Sequence, residues 1–270
     1  MTGFDTTRFL TGLPIVAGAI AVVVAVAFLV AIRVGRHSVI DIAWGFAFAV
    51  VAATSFAWSS GHGSVSIRML VLVMTAAWGL RLAGYIGSRQ IGASEDPRYD
   101  RMLSKAPGSR TAFAIRKIYL TQGVALLFVS LPIQVAMYES GAINALAVVG
   151  LVIWGIGLFF ESVGDAQLVR FKRDPANKGK VMDQGLWRYT RHPNYFGDAC
   201  VWWGIFLVSA SHWPGVLTVL SPLAMNFFLA RGTGKPILES HMKSRPGFSD
   251  YVNRTSGFFP LPPKTSSSRD

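Results

Sequence analysis

Charged residues and cysteine are both scarce in this chain of 270 residues. Only 15% of the residues are charged and 51% are hydrophobic, which is more apolar surface than a soluble core is expected to bury. The single cysteine, Cys200, excludes an intramolecular disulfide and a metal site built from several cysteines, and we expect no metal. A net charge of +12 would suggest nucleic-acid binding in a soluble protein. Here a lipid bilayer is the expected solvent, and we expect no nucleic-acid partner.

The hydrophobic residues fall into runs that are long enough to span a bilayer. These runs predict about seven helices, at Leu13–Ile32, Val39–Trp58, Ile67–Gly87, Ile118–Tyr138, Ile143–Gly164, Phe196–Ser211 and Trp213–Ala230. The expected fold class is therefore all-α, a polytopic membrane helix bundle. We interpret the first run as a retained helix, because it is too long for a signal peptide and its positive charges follow it.

One transmembrane domain is expected over residues 1–263, with a disordered tail at 264–270 that has nothing apolar to bury. The positive charges predict its orientation. The connection with Arg33 and Arg36 and the segments 88–117, 165–195 and 231–270 hold every Lys and Arg except Arg8, Arg68 and Arg81. By the positive-inside rule these segments are cytoplasmic, and the amino terminus lies outside.

The segment GLWRYTRHPNYFGD concentrates polar groups directly before an apolar run. Arg188 and Arg191 are permanent cations whose forked donors suit phosphate or carboxylate. His192, Asn194 and Asp198 add groups that can hydrogen-bond a heterocycle. An ordinary basic loop is the alternative for each arginine taken singly. The whole segment predicts a cytoplasm-facing pocket for an anionic cofactor.

A basic cluster follows the fifth apolar run. Positive charges this close together could bind either anionic lipid headgroups or a nucleotide phosphate. Asp165 and Gln167, just upstream, add polar groups that favour a cofactor over lipid. The cations of this cluster are Arg170, Lys172, Arg173, Lys178 and Lys180.

Ionisable residues inside apolar runs are costly and therefore candidates for function. Asp41 is one of them, but Ser38 makes the pattern S-x-x-D with it, and this pattern also predicts a helix cap. Capping and catalysis both remain open for Asp41.

Several short motifs together resemble the steroid 5-alpha-reductase-like integral membrane proteins, and most closely the bacterial branch known as DUF1295. The resemblance covers roughly residues 38–263, with the cofactor motifs in 143–263. The motifs are Asp165-Ala-Gln167, Phe171-Lys172, Gly185-Leu-Trp187, Arg191-His-Pro-Asn194-Tyr195-Phe-Gly197-Asp198, Trp202-Trp203-Gly204, Arg245-Pro-Gly-Phe, Tyr251 and Arg254-Thr.

The resemblance implies a reductase that uses NADPH to reduce a carbon–carbon double bond in a hydrophobic steroid, enone or lipid-like substrate. It also implies a bacterial cell membrane, with membrane lipids as further partners. Asn194 and Asp198 would face the nicotinamide. The other implied cofactor residues are Gln167, Phe171, Lys172, Trp187, Arg191, His192, Tyr195, Glu239, His241, Tyr251 and Arg254.

The chain departs from that family in its first half. Steroid reductases polarise the substrate carbonyl with a glutamate and a tyrosine in early helices, and neither aligns here. By depth and polarity, Asp41 and Tyr85 are the nearest catalytic candidates. A buried carboxyl could protonate the developing enolate.

Two other classes of function stay open. Membrane methyltransferases for isoprenylcysteine and phospholipid amines also carry an R-H-P-x-Y-x-G string and a glutamate before the terminal helix, and they bind S-adenosylmethionine. A transporter or scaffold without a cofactor would instead need Asp41, Arg81 and Glu161 to line a pathway. The oligomeric state is not indicated by any of these patterns.

Overall fold

The computed structural model describes residues 3–231 and 235–264, without the side chains of 235–237 and 241. Within these residues the chain forms helices and no β-strand, and an isolated bridge pairs Thr190 with Ser256. The prediction of an all-α fold is confirmed. Of the expected tail, Lys264 donates its backbone N–H to the Arg254 carbonyl at 2.9 Å, and residues 265–270 lie outside the described part.

The helices, in chain order, are α1 (Thr6–Val34), α2 (Val39–Trp58), α3 (Val65–Gln90), α4 (Pro97–Leu103), α5 (Arg110–Ala114), α6 (Thr121–Val129), α7 (Leu131–Ala136), α8 (Ala145–Arg173), α9 (Pro193–Ser209), α10 (Leu220–Ala230), α11 (Lys235–Met242) and α12 (Phe248–Arg254). A π-helical turn at Ile115–Leu120 joins α5 to α6. Short 3₁₀ turns lie at Pro175–Asn177, Gly185–Arg188 and Gly215–Val219.

Five of the described segments are long and apolar enough to cross a membrane: α1, α2, α3, the continuous segment Arg110–Val129, and α8. This number and length of apolar helices is that of an integral membrane protein. Helix α9, with 17 residues, and the apolar segment Gly215–Ala230 are shorter than the roughly 20 residues that a perpendicular span needs. Seven spans, and their orientation, therefore stay predictions.

The fourth span differs from its predicted bounds, Ile118–Tyr138. It begins earlier, at Arg110, and ends at Val129. The reason for the earlier end is Pro132, which lacks an N–H and is tolerated only in the first turn of a helix. Accordingly Pro132 lies at the start of the separate short helix α7.

The chain divides into two compact units. Unit 1 consists of Met1–Val148 and Ile205–Ser221, and unit 2 of Val149–Gly204 and Pro222–Asp270.

Glycines allow close helix contacts within each unit. In unit 1, a Cβ on Gly45 of α2 would lie 2.5 Å from the Gly79 carbonyl oxygen of α3. In unit 2, a Cβ on Gly197 of α9 would lie 2.6 Å from the Gly157 carbonyl oxygen of α8. Small residues at such crossings let helix backbones approach each other, as is common in membrane proteins.

Side chains from other parts of unit 1 complete both ends of α2. At its start, the Glu95 carboxylate accepts hydrogen bonds from the backbone N–H groups of His37 and Ser38. At its end, Arg8 donates to the Trp58 carbonyl at 2.9 Å. Ser38 is the N-cap residue, but its side chain makes no capping hydrogen bond. The S-x-x-D pattern thus located the start of the helix correctly and identified the wrong capping side chain.

Candidate functional site

The R-H-P-N-Y segment lies where the chain enters α9, in unit 2. Pro193 occupies the first position of this helix, where its missing N–H costs nothing. Just upstream, Gly185 has a φ of +57° and packs directly against the Gln167 side chain. A Cβ at Gly185 would overlap that amide, and the positive φ would strain any other residue, so glycine is favoured there.

Arg191 and His192 both contact one carboxylate, that of Glu239 in α11. Arg191 Nε donates to Glu239 Oε1 at 3.0 Å, and His192 Nε2 lies 3.0 Å from the same oxygen. Arg191 also donates to the backbone carbonyls of Val252 and Thr255. Arg191 therefore ties the start of α9 to α11 and α12, a connecting role that the sequence did not indicate.

These contacts determine the charge of Glu239. Burial raises its pKa, but the hydrogen bonds from His192 and Arg191 outweigh burial and lower the pKa to about 2. Glu239 is therefore a carboxylate at neutral pH, and it compensates the charge of the buried Arg191.

The next residues form an aromatic and amide surface. The ring of His192 stacks on Tyr195, with centroids 5.3 Å apart and an interplanar angle of 5°. Asn194 donates to Asp165 Oδ1 at 3.3 Å, and Asp165 is only 3% exposed. Asp198 lies one turn further along α9 and is half-buried.

The D-A-Q element packs against the turn that precedes α9. Leu186 donates its backbone N–H to Gln167 Oε1 at 3.0 Å. Trp187 Nε1 donates to the Gly164 carbonyl at 3.0 Å, and the hydroxyl of Tyr251 donates to the Trp187 carbonyl at 2.6 Å. Three motifs that are far apart in the sequence are thus brought together in unit 2.

A cleft of about 510 Å³ lies beside this arrangement. It contains Tyr251 and Arg254 of the predicted residues, together with Lys178 and Lys180 of the basic cluster. Arg254 forms an ion pair with Asp183.

Phe171 and Lys172 lie in the last turn of α8, where Lys172 is exposed and the Phe171 carbonyl accepts a hydrogen bond from Asn177 at 3.1 Å. The side chain of His241 lies outside the described part of the chain.

The two catalytic candidates lie in unit 1. Asp41 Oδ1 accepts a hydrogen bond from the Tyr99 hydroxyl at 2.6 Å, and Oδ2 pairs with Arg98 at 2.9 Å. Tyr85 accepts a weak hydrogen bond from Arg89 at 3.4 Å. Arg98 also pairs with Asp96, and the hydrogen bonds from Arg98 help to lower the pKa of that carboxyl despite its burial.

Sequence reasoning missed Arg98 and Tyr99. Arg98 was counted only as a charge that orients the chain, although the pattern D-P-R-Y was visible as a helix start with proline at its first position. Burial and the neighbouring Asp41 carboxylate both raise the pKa of Tyr99. Tyr99 is therefore protonated at neutral pH and is the hydrogen-bond donor of the pair.

In the described residues, no group of three or more His, Cys, Asp or Glu side chains could hold a metal ion. The arrangement in unit 2 instead offers amide, imidazole and carboxylate groups beside lysines and arginines. Such a set suits an organic cofactor that combines a heterocycle with negatively charged groups.

Comparison with known proteins gives a family. A family model described as "Protein of unknown function (DUF1295)" matches residues 27–255. The chain belongs to this family, which is steroid 5-alpha-reductase-like. The predicted resemblance is confirmed.

The chain is also similar to a probable O-methyltransferase, ustE, of Ustilaginoidea virens, with 36% identity over 73 residues. The aligned part is 26% of this chain and 26% of that relative, so the chain covers about a quarter of the relative's length. No solved structure matches the chain.

Proposed function

We propose that the protein is a membrane-embedded reductase that uses NADPH to reduce a carbon–carbon double bond in a hydrophobic substrate. The observation that carries the proposal is the polar site of unit 2. There the Glu239 carboxylate contacts both Arg191 and His192, and Asp165 accepts a hydrogen bond from Asn194. The family supports an enzymatic activity of the reductase type.

The donor set of unit 2 fits a phosphorylated dinucleotide. Lys178, Lys180 and Arg254 line one cleft, and ammonium and guanidinium groups are the usual partners of phosphate. The stacked pair of His192 and Tyr195 offers an aromatic face, and Asn194 offers an amide for the nicotinamide carboxamide. When bound, NADPH supplies the hydride that reduces the double bond.

A methyltransferase that uses S-adenosylmethionine is the second candidate, and the similarity to a probable O-methyltransferase favours it. Charge separates the two cofactors. S-adenosylmethionine carries a sulfonium cation, whereas NADPH carries three phosphate groups. Three cations and two carboxylates line the cleft, and the last turn of α8 adds Arg170, Lys172 and Arg173, so the net positive charge favours the more anionic cofactor.

The proposal is tested by titrating NADPH, NADH and S-adenosylmethionine into the purified, detergent-solubilised protein and measuring binding heats. We expect NADPH to bind more tightly than NADH. For S-adenosylmethionine we expect no binding heat beyond that of a control titration into denatured protein. Asn194→Leu should weaken NADPH binding by about tenfold or more, since it removes the amide that is offered to the nicotinamide carboxamide. The matched control, Asn253→Leu, changes an exposed asparagine of α12 and should leave binding unchanged. Binding of S-adenosylmethionine without binding of NADPH would replace the reductase by the methyltransferase.

The same assay tests whether Lys172 and Arg173 of the basic cluster bind the cofactor. If these cations bind the 2′-phosphate, replacing Lys172 and Arg173 by alanine should weaken NADPH binding and leave NADH binding unchanged. Equal weakening of both cofactors would contradict this placement of the phosphate.

A further inference from the structure

A groove of about 370 Å³ lies in unit 1, between α1 and residues 119–127. One wall is α1, where Ala17, Ala21 and Ala25 recur every four residues and therefore lie on one face. The opposite wall includes Gly123 of α6. A Cβ on Gly123 would be in ordinary van der Waals contact with the Val24 and Ile20 methyls, at 3.9 and 4.0 Å, so a side chain larger than alanine would extend into the groove.

The length of the groove is comparable to that of one acyl chain. Its α1 wall runs from Ala17 to Phe28, a rise of about 16 Å along a helix, which is about half of the roughly 30 Å hydrocarbon core. Because α1 is apolar enough to span the membrane, the open side of the groove faces acyl chains.

The groove has a polar group at one end. Tyr119 is 2% exposed, and its ring packs edge-on against Phe28 with centroids 5.1 Å apart. Its hydroxyl lies 2.9 Å from His37 Nδ1. Tyr119 also belongs to the π-helical turn Ile115–Leu120, and such turns within α-helices are frequent at functional sites.

The pair of Tyr119 and His37 suits a neutral oxygen. Burial lowers the pKa of His37 against the opposing effect of Glu95, and Arg110 lowers it further, so the imidazole is uncharged at neutral pH. When neutral Nδ1–H donates to the phenolic oxygen, the phenolic proton is left to donate to another acceptor.

We propose that this groove binds the hydrocarbon chain of a single-chain amphiphile whose terminal carbonyl oxygen accepts a hydrogen bond from Tyr119. The apolar walls match the chain, and the hydroxyl at the end of the groove matches the carbonyl. As a statement about the substrate, the inference rests on the proposed reductase function.

The test uses two photoreactive probes on the full-length protein in liposomes, with no cofactor present. One probe is a long-chain methyl ketone with a diazirine on its chain, and the other is the matching alkane. We expect cross-links to α1 and α6 that disappear in Gly123→Leu, which fills the groove. Gly18→Leu, on an open face of α1 outside the groove, should label like the natural protein. Tyr119→Phe should lower ketone labelling about fivefold, the worth of one hydrogen bond, and leave alkane labelling unchanged.

Labelling that survives Gly123→Leu would show contact with bulk lipid only and would overturn the proposal. An equal effect of Tyr119→Phe on both probes, or no effect, would overturn the assignment of the polar end. If Gly123→Leu does not fold, Ala21→Leu fills the groove from an exposed position on the opposite wall, with the same expectation. Because no sample contains NADPH, failure of cofactor binding and failure of groove binding are measured separately.

Discussion

Asp41 has both carboxylate oxygens occupied, one by the Tyr99 hydroxyl and the other by the Arg98 guanidinium. Tyr99 carries the proton of the first contact, since its hydroxyl donates to Asp41 Oδ1. If unit 1 supplies an acid, this geometry favours Tyr99 over Asp41 as the group that donates. The catalytic role of Tyr85 stays a prediction.

Removing the Tyr99 hydroxyl should destabilise unit 1. Tyr99→Phe takes away a hydrogen bond to a charged group, which is worth about 1.5–3 kcal/mol of unfolding free energy. The measurement is the thermal unfolding of the purified protein in detergent. Tyr189→Phe, at an exposed tyrosine, is the matched control and should unfold like the natural protein. Equal stability of both variants would contradict the importance of the Asp41 contact.

Glu139 is a second carboxyl in an unusual environment. Its side chain is fully buried, Ser209 donates to Oε1 at 3.3 Å, and His212 Nδ1 lies 3.8 Å from Oε2. Burial raises the pKa of Glu139 to about 8, against the opposing effect of the Ser209 hydrogen bond. The folded protein thus holds this proton more tightly than the unfolded chain does.

Glu139 should make stability depend on pH. Between its ordinary pKa of 4.5 and about 8, the folded state binds more protons than the unfolded state, so stability falls as pH rises. We expect the unfolding temperature to fall from about pH 5 to about pH 8, and Glu139→Gln to flatten this change because glutamine does not titrate. Asp100→Asn, at an exposed acid, should keep the slope of the natural protein. If the unfolding temperature of Glu139→Gln depends on pH as steeply as that of the natural protein, Glu139 is not the group responsible.

At the scale of elements, α2 shows how side chains complete a helix. A carboxylate, Glu95, lies at its start, and two guanidinium groups lie at its end. This arrangement complements the helix dipole, which is positive at the start and negative at the end. Arg8 and Arg68 are two of the three cations that lie outside the segments predicted to be cytoplasmic. Both are used to bind carbonyls of α2, which explains their place in nearly uncharged segments.

The contact between α8 and α9 should depend on glycine. Gly197→Ala would place a Cβ 2.6 Å from the Gly157 carbonyl oxygen, and the forced separation should cost about 1–3 kcal/mol of stability. Gly155→Ala, on α8 with nothing within 4 Å, is the matched control and should be neutral or slightly stabilising. Thermal unfolding compares the two. Tolerance of alanine at Gly197 would show that the helices are less close than described.

For the whole molecule, the orientation in the membrane is testable because Cys200 is the single cysteine. In a Cys200→Ser background, Ser60→Cys and Ser104→Cys each place a thiol at an exposed position. A membrane-impermeant maleimide added to intact cells should label Ser60→Cys, whereas Ser104→Cys should react only after permeabilisation, as the positive-inside rule predicts. The reverse pattern would invert the orientation.

Much of the architecture follows from composition and apolar runs. α1, α2, α3 and α8 lie close to their predicted positions, because a membrane span needs about 20 apolar residues and little else. The fourth span was misplaced because apolar residues continue past Pro132, and hydropathy alone does not register a missing backbone N–H. The family was also readable from short motifs, since most of their residues are concentrated in one half of the chain.

The sequence by itself determined the all-α class, the membrane as solvent and the family. Only the tertiary structure decided the partners: Glu239 for Arg191 and His192, Tyr99 and Arg98 for Asp41, and Glu95 for the start of α2. The physical reason is the distance along the sequence over which each kind of signal acts. Hydropathy and helix signals act over one or two turns, whereas these hydrogen bonds join residues 47 to 58 positions apart, and folding alone brings such residues together.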